Sequence, residues 1–200
     1  MSSLLRTVVD ARRGIEDSDR REIEACLKGD RQSFERLVKR YEKQVANLMW
    51  RFSRDRVVCE ELVQDVFVEA WFNLHRYRGE APFVHWLRAV GTRVGYQYWK
   101  RRAREKMRVS LKEFEEVEKA QAASEPSSAG ELVHALFSRL PSVDRLVLTL
   151  MYFEDCSTRE IARRMGWSRA MVKMRAYRAR KKMKAIAEEE KLLEKLEWTR

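Results

Sequence analysis

The sequence predicts an all-α protein: two small helical domains joined by a flexible linker, the C-terminal one a helix-turn-helix. Three observations carry this. Only 7 Gly and 3 Pro punctuate 200 residues, and no stretch alternates β-branched apolar with polar residues as a half-buried strand would. Apolar positions recur instead at helical spacing on both sides of one composition break. That break, KEFEEVEKAQAASEPSSAG, runs acidic and then Ala/Ser-rich through Pro126 and Gly130, the composition of a linker.

In chain order the expected parts are an N-terminal extension over 1–19, a helical domain over 20–106, the linker over 107–130, a second helical domain over 131–187 and a tail over 188–200. Disorder is the expectation for 1–19, although Leu4, Leu5, Val8 and Val9 would suit a helix.

Forty-two basic against 31 acidic side chains give a net charge of +11, which favours a polyanionic partner, nucleic acid before an anionic membrane. No apolar run approaches the roughly 20 residues of a membrane span, and the opening MSSLLRTVVDARRG lacks the features of a secretory signal. Cys26, Cys59 and Cys156 lie far apart with no CxxC pair, which indicates neither a disulfide framework nor a zinc cluster and suits reduced thiols in the cytoplasm. His75, His85 and His134 are isolated, and no HExxH, Ser/His/Asp pattern or Gly-rich phosphate loop occurs. The expectation is therefore no catalytic residue, no metal and no cofactor.

The second domain contains CSTREIARRMGWSRAMVKMRAYRARKKMKA. Ser157 and Glu160 have the spacing of a capping box that opens a helix with Ile161, Ala162 and Met165 inward. Gly166 permits a left-handed turn, and Ser168 is placed to cap the next helix. There Val172, Ala176, Ala179 and Met183 form one narrow apolar stripe, and Arg and Lys residues, Lys182 among them, occupy the remaining surface. A recognition helix needs this division, since the stripe fixes its angle while N-terminal residues face the bases. Arg169, Met171, Lys173 and Met174 are candidates for the groove floor, and the later cations for phosphates.

In the first domain, CEELVQDVFVEAWFNL carries a broad inward face, Leu62, Val63, Val66, Phe67, Ala70, Trp71 and Leu74. Glu61, Gln64, Asp65, Val68 and Phe72 share another side. Carboxylates mixed with apolar groups in a basic protein repel phosphate and suit a basic protein partner. The bland alternative, a solvated bundle face, weighs equally on these residues alone. Downstream, HRYRGEAPFVHWLRAVGTRVGYQYWKRRAREKMR interleaves aromatics with cations, a composition suited to stacking on unpaired bases while tracking a backbone. Phe83, Trp86, Leu87 and Val90 are assigned to core; Tyr96, Tyr98 and Trp99 cannot all share one buried face.

At this point the chain resembles the extracytoplasmic-function (ECF) group of bacterial RNA polymerase sigma factors. EELVQDVFVEAW is similar to their polymerase-binding helix, YRGEAPFVHWLRAVGTRV to their promoter-melting segment, and LPSVDRLVLTLMYFEDCSTREIARRMGWSRAMVKMRAYRARKKMK to their C-terminal domain. The resemblance implies an alternative sigma factor that binds core RNA polymerase and directs promoter-specific initiation. Glu61, Gln64, Asp65, Val68 and Phe72 would dock on the clamp coiled coil. Tyr77, Arg78 and Gly79, with Arg88, Arg93, Tyr96, Gln97, Tyr98, Trp99, Lys100 and Arg101, would capture and melt the −10 element. Ser168, Arg169, Met171, Lys173, Met174, Arg175, Tyr177, Arg178 and Lys181 would serve the −35 element. An anti-sigma factor is a further implied partner. The pattern departs from the family at Val58, Arg93, Gln97, Ala170, Met171 and Met174, so promoter preference does not carry over. A dimeric free-standing regulator is the second reading, and a nucleic-acid-processing enzyme ranks last.

Overall fold

The computed structural model describes the backbone of residues 2–112 and 129–189, and within it the side chains of residues 14–105 and 133–188. All regular structure among the described residues is helical: α1 (Ser2–Leu27), α2 (Arg31–Met49), α3 (Arg56–Asn73), a short 3-10 turn (Leu74–Arg76), α4 (Phe83–Lys112), α5 (Ala129–Ser138), α6 (Ser142–Tyr152), α7 (Thr158–Met165) and α8 (Arg169–Glu189). The chain divides into two compact units, 1–98 and 99–200.

In the first unit Asp30 caps α2 by accepting from the Gln32 N–H, and Asp55 caps α3 by accepting from those of Val57 and Val58. Each cap satisfies amide groups that the first turn leaves without partners. Leu37, Tyr41, Val45, Leu48 and Met49 of α2 bury against Leu62, Val66 and Ala70 of α3, with Phe52, Phe83 and Leu87 completing the core. Gly91 and Gly95 let α4 approach closely: a Cβ at Gly91 would lie 2.9 Å from Leu48 Cδ2, and one at Gly95 would strike the Phe52 ring.

Helix α1 starts at Ser2, so the expected disordered extension is helical backbone, and Asp19 at its assigned end is buried. The Asp19 carboxylate accepts from Tyr41 and pairs with Arg40, which also reaches Glu22. Burial is the main influence on Asp19 and raises its pKa. The Arg40 guanidinium and the Tyr41 hydroxyl around it make that burial tolerable. Helix α4 runs on to Lys112, beyond the boundary expected at 106; 113–128 of the linker and 190–200 of the tail lie outside the described residues.

In the second unit Leu146, Leu148 and Leu150 of α6 are fully buried with Ile161 of α7 and Val172, Ala176 and Ala179 of α8. Phe137 and Leu140 join them, with Val133, Met183 and Ile186 packed at the margin. Pro141 stands one position before α6, as its N-cap.

Candidate functional site

Three surfaces carry the chemistry that the sequence singles out. The first is the outer side of α3. Leu62, Val66, Phe67 and Ala70 are buried and fix the helix rotation, with Val63 and Trp71 only half-buried; the Trp71 ring lies edge-on to Phe34 at 4.9 Å. Glu61, Gln64, Asp65, Val68 and Phe72 consequently all face solvent. Val68 is 53% and Phe72 69% exposed, so a large apolar area sits beside two carboxylates. Val57, also exposed, lies four residues before Glu61 on the same line. It was legible as one more step of that periodicity.

The second surface is the loop before α4 and α4 itself. The Tyr77 hydroxyl donates to the Ala81 carbonyl at 2.6 Å and closes the loop, while Gly79 takes φ 71°, a left-handed conformation that favours glycine. The Tyr77 ring packs against Phe83 and Trp86 at 5.5 and 5.7 Å, and burial pushes its phenol pKa up. Arg78 and Gly79 are exposed. A cleft of about 420 Å³ opens between this loop and α1, with Glu16, Asp19, Arg20 and Glu24 among the residues lining it.

Along α4, Arg93, Gln97 and Arg101 are exposed, and Arg88, Tyr96, Tyr98 and Lys100 are half-buried. Trp99 differs from expectation. It is 5% exposed and belongs to the second unit, where the Arg145 guanidinium lies 3.9 Å from the ring centre. A cation on its face gives a large ring reason to stay covered, and in this arrangement Trp99 presents no free face to a base.

The third surface is the helix-turn-helix. Ser157 N–H donates to Glu160 Oε2 at 2.8 Å, and the Glu160 N–H returns a bond to Ser157 Oγ at 3.2 Å. The hydrogen bonds from the Ser157 side chain and backbone hold the Glu160 carboxyl below the usual range. Gly166 ends α7 with φ 68°, and Ser168 Oγ accepts from the Met171 N–H at 3.1 Å. With Val172, Ala176 and Ala179 inward, α8 turns Arg169, Met171, Lys173, Met174, Tyr177, Arg178 and Lys181 to solvent; Ser168 is exposed at its start. Two cations differ. Arg175 is half-buried with its guanidinium 5.2 Å from the Trp167 ring centre, and Lys182 pairs at 2.8 Å with the buried Asp144 of α6.

Among the described residues no group of three or more His, Cys, Asp or Glu is placed to hold a metal ion, and no helix is long and apolar enough to cross a membrane. An acidic-apolar helix face, a loop followed by a cation-rich helix, and a capped helix-turn-helix together describe a promoter-recognition factor of the sigma-70 type. Residues 37–105 match the family model for Sigma-70 region 2, and residues 130–183 that for Sigma-70, region 4. The ECF RNA polymerase sigma-E factor of Escherichia coli K12 is 31% identical over 169 residues, spanning 79% of this chain and 88% of that protein. The RNA polymerase sigma-H factor of Pseudomonas aeruginosa is 27% identical over 179 residues, 82% of this chain and 91% of the relative. The solved structure of CnrH in complex with the cytosolic domain of CnrY aligns with a TM-score of 0.56 at 26% identity, over 86% of this chain and 97% of CnrH. RpoE of Bartonella quintana, solved with the anti-sigma factor NepR, shares the fold with a TM-score of 0.56 at 20% identity, over 78% and 98% of the two chains. The chain belongs to the ECF sigma factors, alternative sigma factors that direct promoter-specific transcription.

Proposed function

We propose that the α3 face Glu61, Gln64, Asp65, Val68 and Phe72, extended by Val57, docks this factor on the basic clamp coiled coil of core RNA polymerase. The observation that carries the reading is the exposure of Val68 and Phe72 beside Glu61 and Asp65 in a protein of net charge +11. Carboxylates steer the approach to a basic helix pair, and apolar groups supply the area that desolvates on contact.

In the same reading the loop Tyr77–Pro82 takes an extruded base of the −10 element into the cleft beside it. Arg88, Arg93, Tyr96, Gln97, Tyr98, Lys100 and Arg101 along α4 guide the melted strand. Trp99 joins them once its face is released from Arg145. Base extrusion costs a few kcal/mol, which the pocket and stacking offset. Helix α8 enters the major groove at the −35 element, with Ser168, Arg169, Met171, Lys173 and Met174 nearest the bases and Tyr177, Arg178 and Lys181 further along; Arg175 supports the turn through Trp167. The factor supplies binding and strand separation in the cytoplasm, and the polymerase supplies the chemistry, with no cofactor of the factor's own. An anti-sigma partner is part of the reading, supported by the relative CnrH having been solved with the cytosolic domain of CnrY bound.

Size-exclusion chromatography with bacterial core RNA polymerase tests the docking face. The wild type should co-elute, and a Glu61→Arg, Asp65→Arg variant should not, while keeping its helical circular dichroism because both positions are exposed. Co-elution of the variant would move docking elsewhere. A wild type that runs alone as a dimer and shifts duplex DNA would favour the free-standing regulator.

A further inference from the structure

On α8, Val172 is fully buried, and Met174, two residues on, stands about 200° round the helix from it. Met174 therefore points almost directly away from the core and is 51% exposed. Ala170, two residues before Val172, points away on the other side, and Met171, 39% exposed, flanks the pair. The Ser168 hydroxyl accepts from the Met171 N–H, which leaves its own O–H to donate at the helix start. Arg169 and Lys173 stand to one side of this sector, and the exposed Arg178 and Lys181 follow it one and two turns later. The part of α8 turned most directly from the core is thus apolar, with Arg169 and Lys173 beside it and the later cations suited to phosphates.

A major groove offers one apolar group on its base edges, the C5-methyl of thymine. We propose that Met174, flanked by Ala170 and Met171, reads thymine methyls, so that the −35 element of this factor carries thymine where α8 meets the groove floor. The inference rests on the reading that α8 lies in the −35 major groove. It gives that site a base preference made by burial of methyl groups in place of a bidentate arginine on guanine.

The test uses holoenzyme assembled from core polymerase and the full chain. A promoter duplex randomised over the −35 segment is selected for binding, and each selected thymine is then replaced by deoxyuridine, which deletes the methyl and keeps every hydrogen-bonding group. Wild type should bind about fourfold more weakly for each contacted methyl removed, the loss expected from one buried methyl group. Met174→Ser should lose discrimination at its position, and Met174→Leu should retain it. Equal binding to thymine and deoxyuridine sites, or selection of G·C pairs throughout the segment, would overturn the proposal while leaving groove docking intact. Selection with no −35 preference at all would overturn the docking reading, and the proposal with it.

Discussion

The Arg175 guanidinium lies 5.2 Å from the centre of the Trp167 ring, spanning the turn between α7 and α8. Its Nε is buried without a hydrogen-bond acceptor among the described residues, so the ring face is what compensates the cation there. A half-buried contact of this kind contributes about 1 kcal/mol. Arg175 thereby braces the turn between α7 and α8, although its charge alone suggests phosphate.

Salt dependence separates the two roles. Each phosphate contact contributes about 0.9 to the slope of log K against log salt on duplex DNA. Arg175→Ala should weaken −35 binding with that slope unchanged, and Trp167→Ala should weaken it equally, the two losses being non-additive in the double variant. Lys181→Ala, at an exposed position, should lower the slope by about 0.9. A reduced slope for Arg175→Ala would return that residue to the DNA backbone.

The capping box at Ser157 and Glu160 predicts a pH effect on the second unit. Glu160 titrates below the ordinary glutamate range in the folded protein because Ser157 donates to its charged form. A depressed folded pKa means its contribution is fully present above the unfolded value and is lost as pH falls through the folded one. Urea melts should therefore show this contribution at pH 7 and its loss below about pH 4.5. Ser157→Ala should cost about 1 kcal/mol at pH 7 and flatten this acid dependence. An undiminished acid dependence in the variant would place its origin at other carboxylates.

How much of this was legible in the sequence follows from the distance over which each feature is made. The Ser157–Glu160 box, the Gly166 turn and the Ser168 cap are each closed within a few residues, and one sequence window contains every partner. The α3 face is a periodicity, so fixing the buried side fixed the exposed one. The burial of Asp19 is hidden in the sequence because its partner Arg40 stands 21 residues away; Lys182 is exposed as expected, but its pairing with Asp144, 38 residues away, is not legible. Nothing near Trp99 in the sequence announces Arg145, the cation that lies over its ring. Side chains paired through tertiary structure look like solvated charges or free aromatics until the fold brings the partner.

Asp19 supplies a test of how far the first unit extends. It is buried, accepts from Tyr41 and pairs with Arg40. Hydrogen bonds to a charged group contribute about 1.5–3 kcal/mol each. A chain beginning at residue 20, or Asp19→Ala in the full chain, should lower the stability of the first unit by about that amount in urea denaturation. An unchanged midpoint for both variants would show that the part of α1 up to Asp19 contributes nothing there.

Gly95 sets the close approach of α4 to the Phe52 ring just after α2, and its substitution tests the frame that carries the residues proposed for the −10 element. A methyl at this position would fall inside van der Waals contact of the Phe52 ring, which is itself buried. Alanine is the better helix former by about 1 kcal/mol, but overpacking a filled core costs about 1–3 kcal/mol and displaces what rides on it. Gly95→Ala should therefore lower the thermal midpoint of the first unit and reduce open-complex formation with core polymerase, since Arg88, Arg93 and Gln97 move with α4. Gly14→Ala, where an added Cβ meets nothing within 4 Å, isolates the propensity effect and should raise the midpoint slightly. Were Gly95→Ala to stabilise the protein as Gly14→Ala does, the Phe52 ring would have room to shift, and the close crossing of α4 over α2 would not be what holds α4 in place.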